Sequence, residues 1–197
     1  REAAEKAAGP GQKVAMVSFF GYDAPPGVLE ASNTDMAQAG AKKLANFLTG
    51  IDAAREHGAG DAHITVASHS YGSTTAGIAA TLVGDGVIDD LVQFGSPGSG
   101  VQDVGEFHVP EGHTYVSAAP YVNDMVQGVG PDSSFGKNPD TMDGYKHLSG
   151  DVGGFKWTLT PTLVPIPDPF GSHSDYFTEG TQANRDIASV IGGKPNV

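Results

Sequence analysis

The pentapeptide Ser68-His69-Ser70-Tyr71-Gly72 lies between a β-rich run, His63–Ser68, and a small-residue helical stretch, Ser73–Val83. A serine held in a sharp strand-to-helix turn presents its hydroxyl at the end of a sheet, and such a turn asks for small residues two before and two after it. Ser68 and Gly72 meet that demand, although glycine is the usual residue where Ser68 stands. A serine hydroxyl becomes a useful nucleophile only when a base takes its proton, and the base is normally oriented by a carboxylate. In chains with this turn the acid follows a later strand and the histidine comes near the end. Asp124 follows the run His113–Ala118, and His173 precedes the last helical stretch. Asp103 and Asp132 are the rivals for the acid and His147 for the base, because His57, His63, His69, His108 and His113 all precede Asp124. His69 is expected to point away from the cleft into which Ser70 points.

Several elements must position these groups. Arg1–Ala8 reads as the last turns of a helix ended by Gly9-Pro10-Gly11. Lys13–Phe20 is a short apolar run with the pattern of a strand buried on both faces. Asn33–Glu56 carries Met36, Ala37, Ala41, Leu44, Phe47, Leu48 and Ile51 at helical spacing. Strands are expected at His63–Ser68, Asp90–Phe94 and His113–Ala118, and a final helix over Glu179–Ile191. Strands alternating with helices imply an α/β fold with a mostly parallel sheet. Residues 127–172 lose periodicity, are rich in Gly, Pro, Asp and Ser, and hold one strand candidate, Phe155–Leu159. They read as surface loops over the site, too short for a large helical cap. Phe135, Tyr145, Phe155, Trp157, Leu163 and Phe170 are candidates either for an acyl-binding wall or for local packing.

Composition bounds the function. The 197 residues fit one domain, and 28 glycines, about twice the usual share of roughly 7%, imply much turn and loop. Eleven Lys and Arg against 23 Asp and Glu give a net charge of −12, which argues against nucleic acid as a partner and against anionic membrane surfaces. No cysteine is present, so thiol nucleophiles, disulfides and zinc-thiolate sites are excluded. No run is apolar for long enough to span a bilayer. The first residue is Arg1 and no leader follows it, so the expectation is that any signal peptide has been removed or lies outside this sequence, with secretion or the cell envelope favoured. Asp132, Asn138, Asp140, Asp143 and Asp151 do not reproduce a calcium-loop spacing, and neither metal nor other cofactor is expected.

Five segments in order, Phe20-Gly21-Tyr22-Asp23-Ala24-Pro25, Ser68–Thr74, Gly95-Ser96-Pro97-Gly98, Ala118-Ala119 leading to Asp124, and Gly171-Ser172-His173-Ser174-Asp175-Tyr176-Phe177, resemble a mostly actinobacterial family of α/β hydrolases long catalogued as a domain of unknown function. The resemblance implies Ser70 as nucleophile, Asp124 as acid and His173 as base. It also implies an upstream strand with a Val-Pro-Gly-like turn, which is absent here. Lys13–Phe20 would then match the fourth strand of that fold, leaving the place beside the serine strand to another polypeptide or a further N-terminal segment, or else to a rebuilt sheet. Tyr71 is the expected first oxyanion donor through its N–H, with Tyr22 as the second in the rebuilt case; Asp23 reads as structural. The function expected is hydrolysis of a small-molecule or lipid carboxylic ester through an acyl-enzyme. Acyl transfer to another acceptor and a non-catalytic interaction module are the alternatives.

Overall fold

The computed structural model describes residues 1–22, 34–60, 62–127, 129 and 131–197. Asp23, Ala24, Pro25 and Asn33, which figure in the expectations above, lie outside them. Helix α1 spans Glu2–Ala8 and α2 Asp35–Ala54, the latter running into a π-helical turn, Arg55–Ala59. Strand β1 (Thr65–His69) leads to α3 (Tyr71–Ala80), followed by β2 (Asp90–Phe94) and β3 (Thr114–Ser117). A short helix α4 (Asp132–Phe135), strands β4 (Lys146–His147), β5 (Trp157–Leu159) and β6 (Pro165–Pro167), and helix α5 (Gln182–Ile191) complete the chain.

The main sheet is parallel with order β1-β2-β3-β4. Alternation along the strands divides its two faces. Leu91 and Val116 join Leu44, Leu48, Ala76, Ala79 and Tyr145 on the α2–α3 side. Val92, Phe94 and Tyr115 join Tyr176, Ile187 and Val190 on the α5 side. β2 is buried along its whole length, as a central parallel strand should be. Gln93 is kept in that interior by full satisfaction: its amide donates to Ser73 O (2.7 Å) and Ser99 O (3.1 Å), and its carbonyl accepts from the Tyr145 hydroxyl. α1 packs on α5, where the Lys194 ammonium donates to Ala8 O at 2.6 Å.

Three expectations are corrected. Lys13–Phe20 belongs to neither sheet and is largely exposed, with Met16, Val17 and Phe20 open to solvent. A buried strand needs neighbours for its peptide groups, and no strand among the described residues pairs with it; only Phe19 is drawn in, against the Phe47 ring (5.9 Å between centroids). Residues 127–172 are not simply surface loops. They supply β4, which extends the sheet, and bury Phe135, Met142, Tyr145, Leu148 and Val152. β4 is only two residues long, too brief for periodicity to reveal. Finally, Gly72 answers no steric demand, since a Cβ there would meet nothing within 4 Å. The close approach comes at Gly77, where a Cβ would lie 1.7 Å from Ser99 O.

Candidate functional site

β1 ends at His69 and α3 begins at Tyr71, leaving Ser70 alone to reverse the chain. It does so at φ 56° and ψ −135°, a conformation that non-glycine residues rarely adopt. The turn is held by Ser70 N–H donating to Phe94 O (3.1 Å) and by Ser73 N–H donating to Ser70 O (2.9 Å). Ser68 fits the crowded strand end because its hydroxyl donates to Val92 O at 3.1 Å. Tyr71 is the first residue of α3, so its backbone N–H lies at the positive end of that helix.

Two loops bring the partners. Asp124 follows a 3-10 turn, Tyr121–Asn123, beyond β3, and His173 lies just before another, Asp175–Phe177. Ser172 N–H donates to Asn123 O (3.0 Å), which pins the two loops together. The Ser70 hydroxyl meets His173 Nε2 at 2.8 Å, and His173 Nδ1 meets Asp124 Oδ1 at 2.9 Å. An ionised carboxylate only accepts, so Nδ1 carries the proton and Nε2 is left to accept from the serine. Asp124 is fully buried. Burial alone would raise its pKa, but hydrogen bonds from His173, Tyr176 and Gln127 outweigh that and hold it below the usual carboxylate value. A hydroxyl in this relay can pass its proton to the imidazole while the carboxylate steadies the resulting cation.

Two residues at the site escaped the reading of the sequence. Tyr176 donates its hydroxyl to Asp124 Oδ2 (2.8 Å) and accepts from Ala119 N–H (2.8 Å), so it fixes the second carboxylate oxygen. Burial raises its pKa far above the ordinary tyrosine value, which keeps it a donor. His69, expected to point away from the Ser70 cleft, lies against the base. Its ring stacks 4.6 Å from that of His173, and its Nε2–H donates to His173 O at 2.6 Å. Burial, with repulsion from His173 second, lowers its pKa from 6.5 to about 4. The signal for both was their place in the segments quoted above, but alternation of side chains along a strand says only which face a residue takes, not what packs on that face.

The rival residues are elsewhere. His147 lies on β4 against Asp140 (3.4 Å), and the Asp103 carboxylate caps a 3-10 turn by accepting from Gly105 N–H (2.8 Å). Asp132 opens α4 at an exposed position. His63 and His113 share the buried Asp90 carboxylate (2.5 and 2.8 Å) at the opposite ends of the strands from Ser70. Tyr22 packs with Ala37, Tyr71 and Phe135, and its hydroxyl accepts from Thr75 Oγ1 at 3.4 Å, so it flanks α3 near its start. Of the six residues considered for an acyl wall, Phe135 and Tyr145 are buried in the interior, while Phe155, Trp157, Leu163 and Phe170 are exposed. A cleft of about 620 Å³ runs past Tyr121, Gln127, Asp151, Phe155 and Ser172; it borders the loops that carry Asp124 and His173 but includes neither Ser70 nor His173. Among the described residues no group of three or more His, Asp or Glu could hold a metal ion, and no helix is long and apolar enough to cross a membrane.

A parallel α/β sheet that sets a strained serine, a histidine and a buried aspartate at the carboxyl ends of its strands defines a hydrolase-like α/β protein. The chain belongs to the alpha/beta hydrolase family, whose pattern matches residues 1–134, a stretch that holds Ser70 and Asp124. It is 33% identical over 141 residues to uncharacterized proteins of Mycobacterium bovis and Mycobacterium tuberculosis, an alignment covering 71% of this chain and 51% of theirs. A second uncharacterized Mycobacterium tuberculosis protein is 30% identical over 211 aligned positions, covering 95% of this chain and 30% of that one. The chain thus spans about half the length of the first relatives and less than a third of the second. No solved structure matches.

Proposed function

We propose that this protein is a serine hydrolase of carboxylic esters in which Ser70 is the nucleophile, His173 the general base and Asp124 its orienting acid. The observation that carries the reading is the Ser70 hydroxyl set 2.8 Å from His173 Nε2, on a serine held in a disfavoured conformation. As Ser70 Oγ attacks the ester carbonyl, its proton moves to Nε2 and the carbonyl oxygen gains the charge. Tyr71 N–H receives that charge, with Tyr22 N–H as the second donor. His173 returns the proton to the leaving alcohol, and water, deprotonated by the same imidazole, releases the acid from Ser70. One oxyanion donor is worth roughly a hundred- to a thousand-fold in rate.

Ser70→Ala is expected to abolish hydrolysis of a p-nitrophenyl ester while leaving the thermal unfolding curve in place. A fluorophosphonate probe should label the unsubstituted protein at Ser70 and leave the variant untouched. Full activity in Ser70→Ala, or a folded protein that takes no label, would overturn the assignment.

A further inference from the structure

β5 and β6 form an antiparallel ribbon outside the main sheet, with Trp157 opposite Pro167 and Leu159 opposite Pro165. From Trp157 to Pro167 it contains no charged residue, in a chain of net charge −12. Trp157, Leu159, Leu163, Val164 and Ile166 are all exposed, and Trp157 stacks beside the exposed Phe155 at 5.3 Å between ring centroids. At the tip the chain turns back through Thr160 N–H donating to Val164 O (2.9 Å) and Leu163 N–H donating to Thr160 O (2.8 Å). Leu163 has φ 60° there and is 75% exposed. Glycine or asparagine takes that conformation readily and a leucine does not. The turn therefore retains a largely exposed apolar side chain at a position where it strains the backbone, a conflict that points to function.

The ribbon is joined directly to the site. The Asn123 side-chain amide, next to Asp124, donates to Lys156 O (2.8 Å) and Asp168 O (3.0 Å) at its two ends. Met125 N–H donates to Pro169 O (2.8 Å), and the turn that follows carries the exposed Phe170 into His173 through His173 N–H and Phe170 O (3.1 Å). The base of the ribbon is thus tied to the loop that carries Asp124.

We propose that the Trp157–Pro167 ribbon docks on an uncharged lipid surface, and that the esters cleaved are those carried in such a surface. The proposal rests on the serine-hydrolase reading for the ester and on the ribbon alone for the surface. The charge pattern selects the occupant: a strongly acidic protein is repelled by an anionic bilayer, whereas an uncharged apolar ribbon with an exposed tryptophan suits a neutral interface. An exposed apolar patch of this kind otherwise invites aggregation.

The test is flotation of the full chain with phosphatidylcholine vesicles, beside Leu163→Asn, Trp157→Ser and Ser70→Ala. The unsubstituted protein should float with the vesicles equally at low and high salt, and less when phosphatidylserine is added. Leu163→Asn, which relieves the turn and leaves the fold intact, should lower partitioning by about tenfold, the factor expected when one leucine's apolar burial is lost. Ser70→Ala should float unchanged, which separates this inference from the chemistry. Leu163→Asn should also hydrolyse a soluble p-nitrophenyl butyrate normally and an emulsified long-chain ester about tenfold more slowly. No flotation, flotation abolished by salt, unchanged flotation of Leu163→Asn, or a dimer that Leu163→Asn dissociates would each overturn the surface. Flotation without hydrolysis of any ester would leave the surface standing and overturn the substrate class.

Discussion

His69 shows how a residue remote from bond making can govern the one that makes bonds. It donates to the His173 carbonyl and packs on its ring, and burial, with repulsion from His173 second, favours its neutral form. Its folded pKa of about 4 lies below the ordinary 6.5, so as pH falls the unfolded chain takes up the proton first. Stability should decline from about pH 6.5 towards pH 4, by roughly 3 kcal/mol in all. In His69→Gln that slope should vanish from urea midpoints measured across this range. Asp124 acts with the same sign at lower pH: its lowered pKa stabilises the fold above the ordinary carboxylate value, and that stability is lost as pH falls through the lowered one, beneath the His69 window. Asp124→Asn keeps the shape but reverses the hydrogen bond to Nδ1, so turnover of a p-nitrophenyl ester should fall by about ten-thousand-fold with little change in KM.

Helix α3 and the loop after β2 are fitted to each other through glycine at one point and not at another. Gly77 admits Ser99 O against the helix, and a methyl there would displace either α3, and Ser70 with it, or the buried Gln93 network. Gly77→Ala should cost about 3 kcal/mol, read from urea midpoints, and should lower ester turnover in step. Gly72, despite its place two residues after Ser70, faces open space. Gly72→Ala should leave stability unchanged or raise it by about 0.5 kcal/mol. Gly95 belongs with Gly77: its φ is 55°, and a Cβ would lie 3.2 Å from both Asp124 Oδ2 and His69 Nε2. The pentapeptide was readable because a serine turn is local. The true close contact was not, because Gly77 and Ser99 meet only after β2 has returned the chain beside β1.

Across the whole molecule the sheet is asymmetric. β1, which carries Ser70, is an outer strand, and among the described residues no strand pairs with its free edge; Ala67 at its middle is exposed. Such an edge is open to pairing with a further strand. Hydrogen exchange should find the outward amides of β1 fast and those of β2 slow; uniform protection along β1 would mean that the edge is already covered. Edge strands invite such pairing because their N–H and C=O groups are unspent.

The alternation of strands with helices and the parallel sheet are readable in the order of residues, as is the choice of Ser70, Asp124 and His173 for the proposed site, because turn chemistry and side-chain periodicity are local. Two conclusions needed the third dimension. Lys13–Phe20 has the pattern of a buried strand yet stays outside the sheet, since a strand exists only where another strand accepts its hydrogen bonds. His69 and Tyr176 reach the site only through packing of residues 52 to 104 positions apart in the chain, a proximity that no spacing along a sequence encodes.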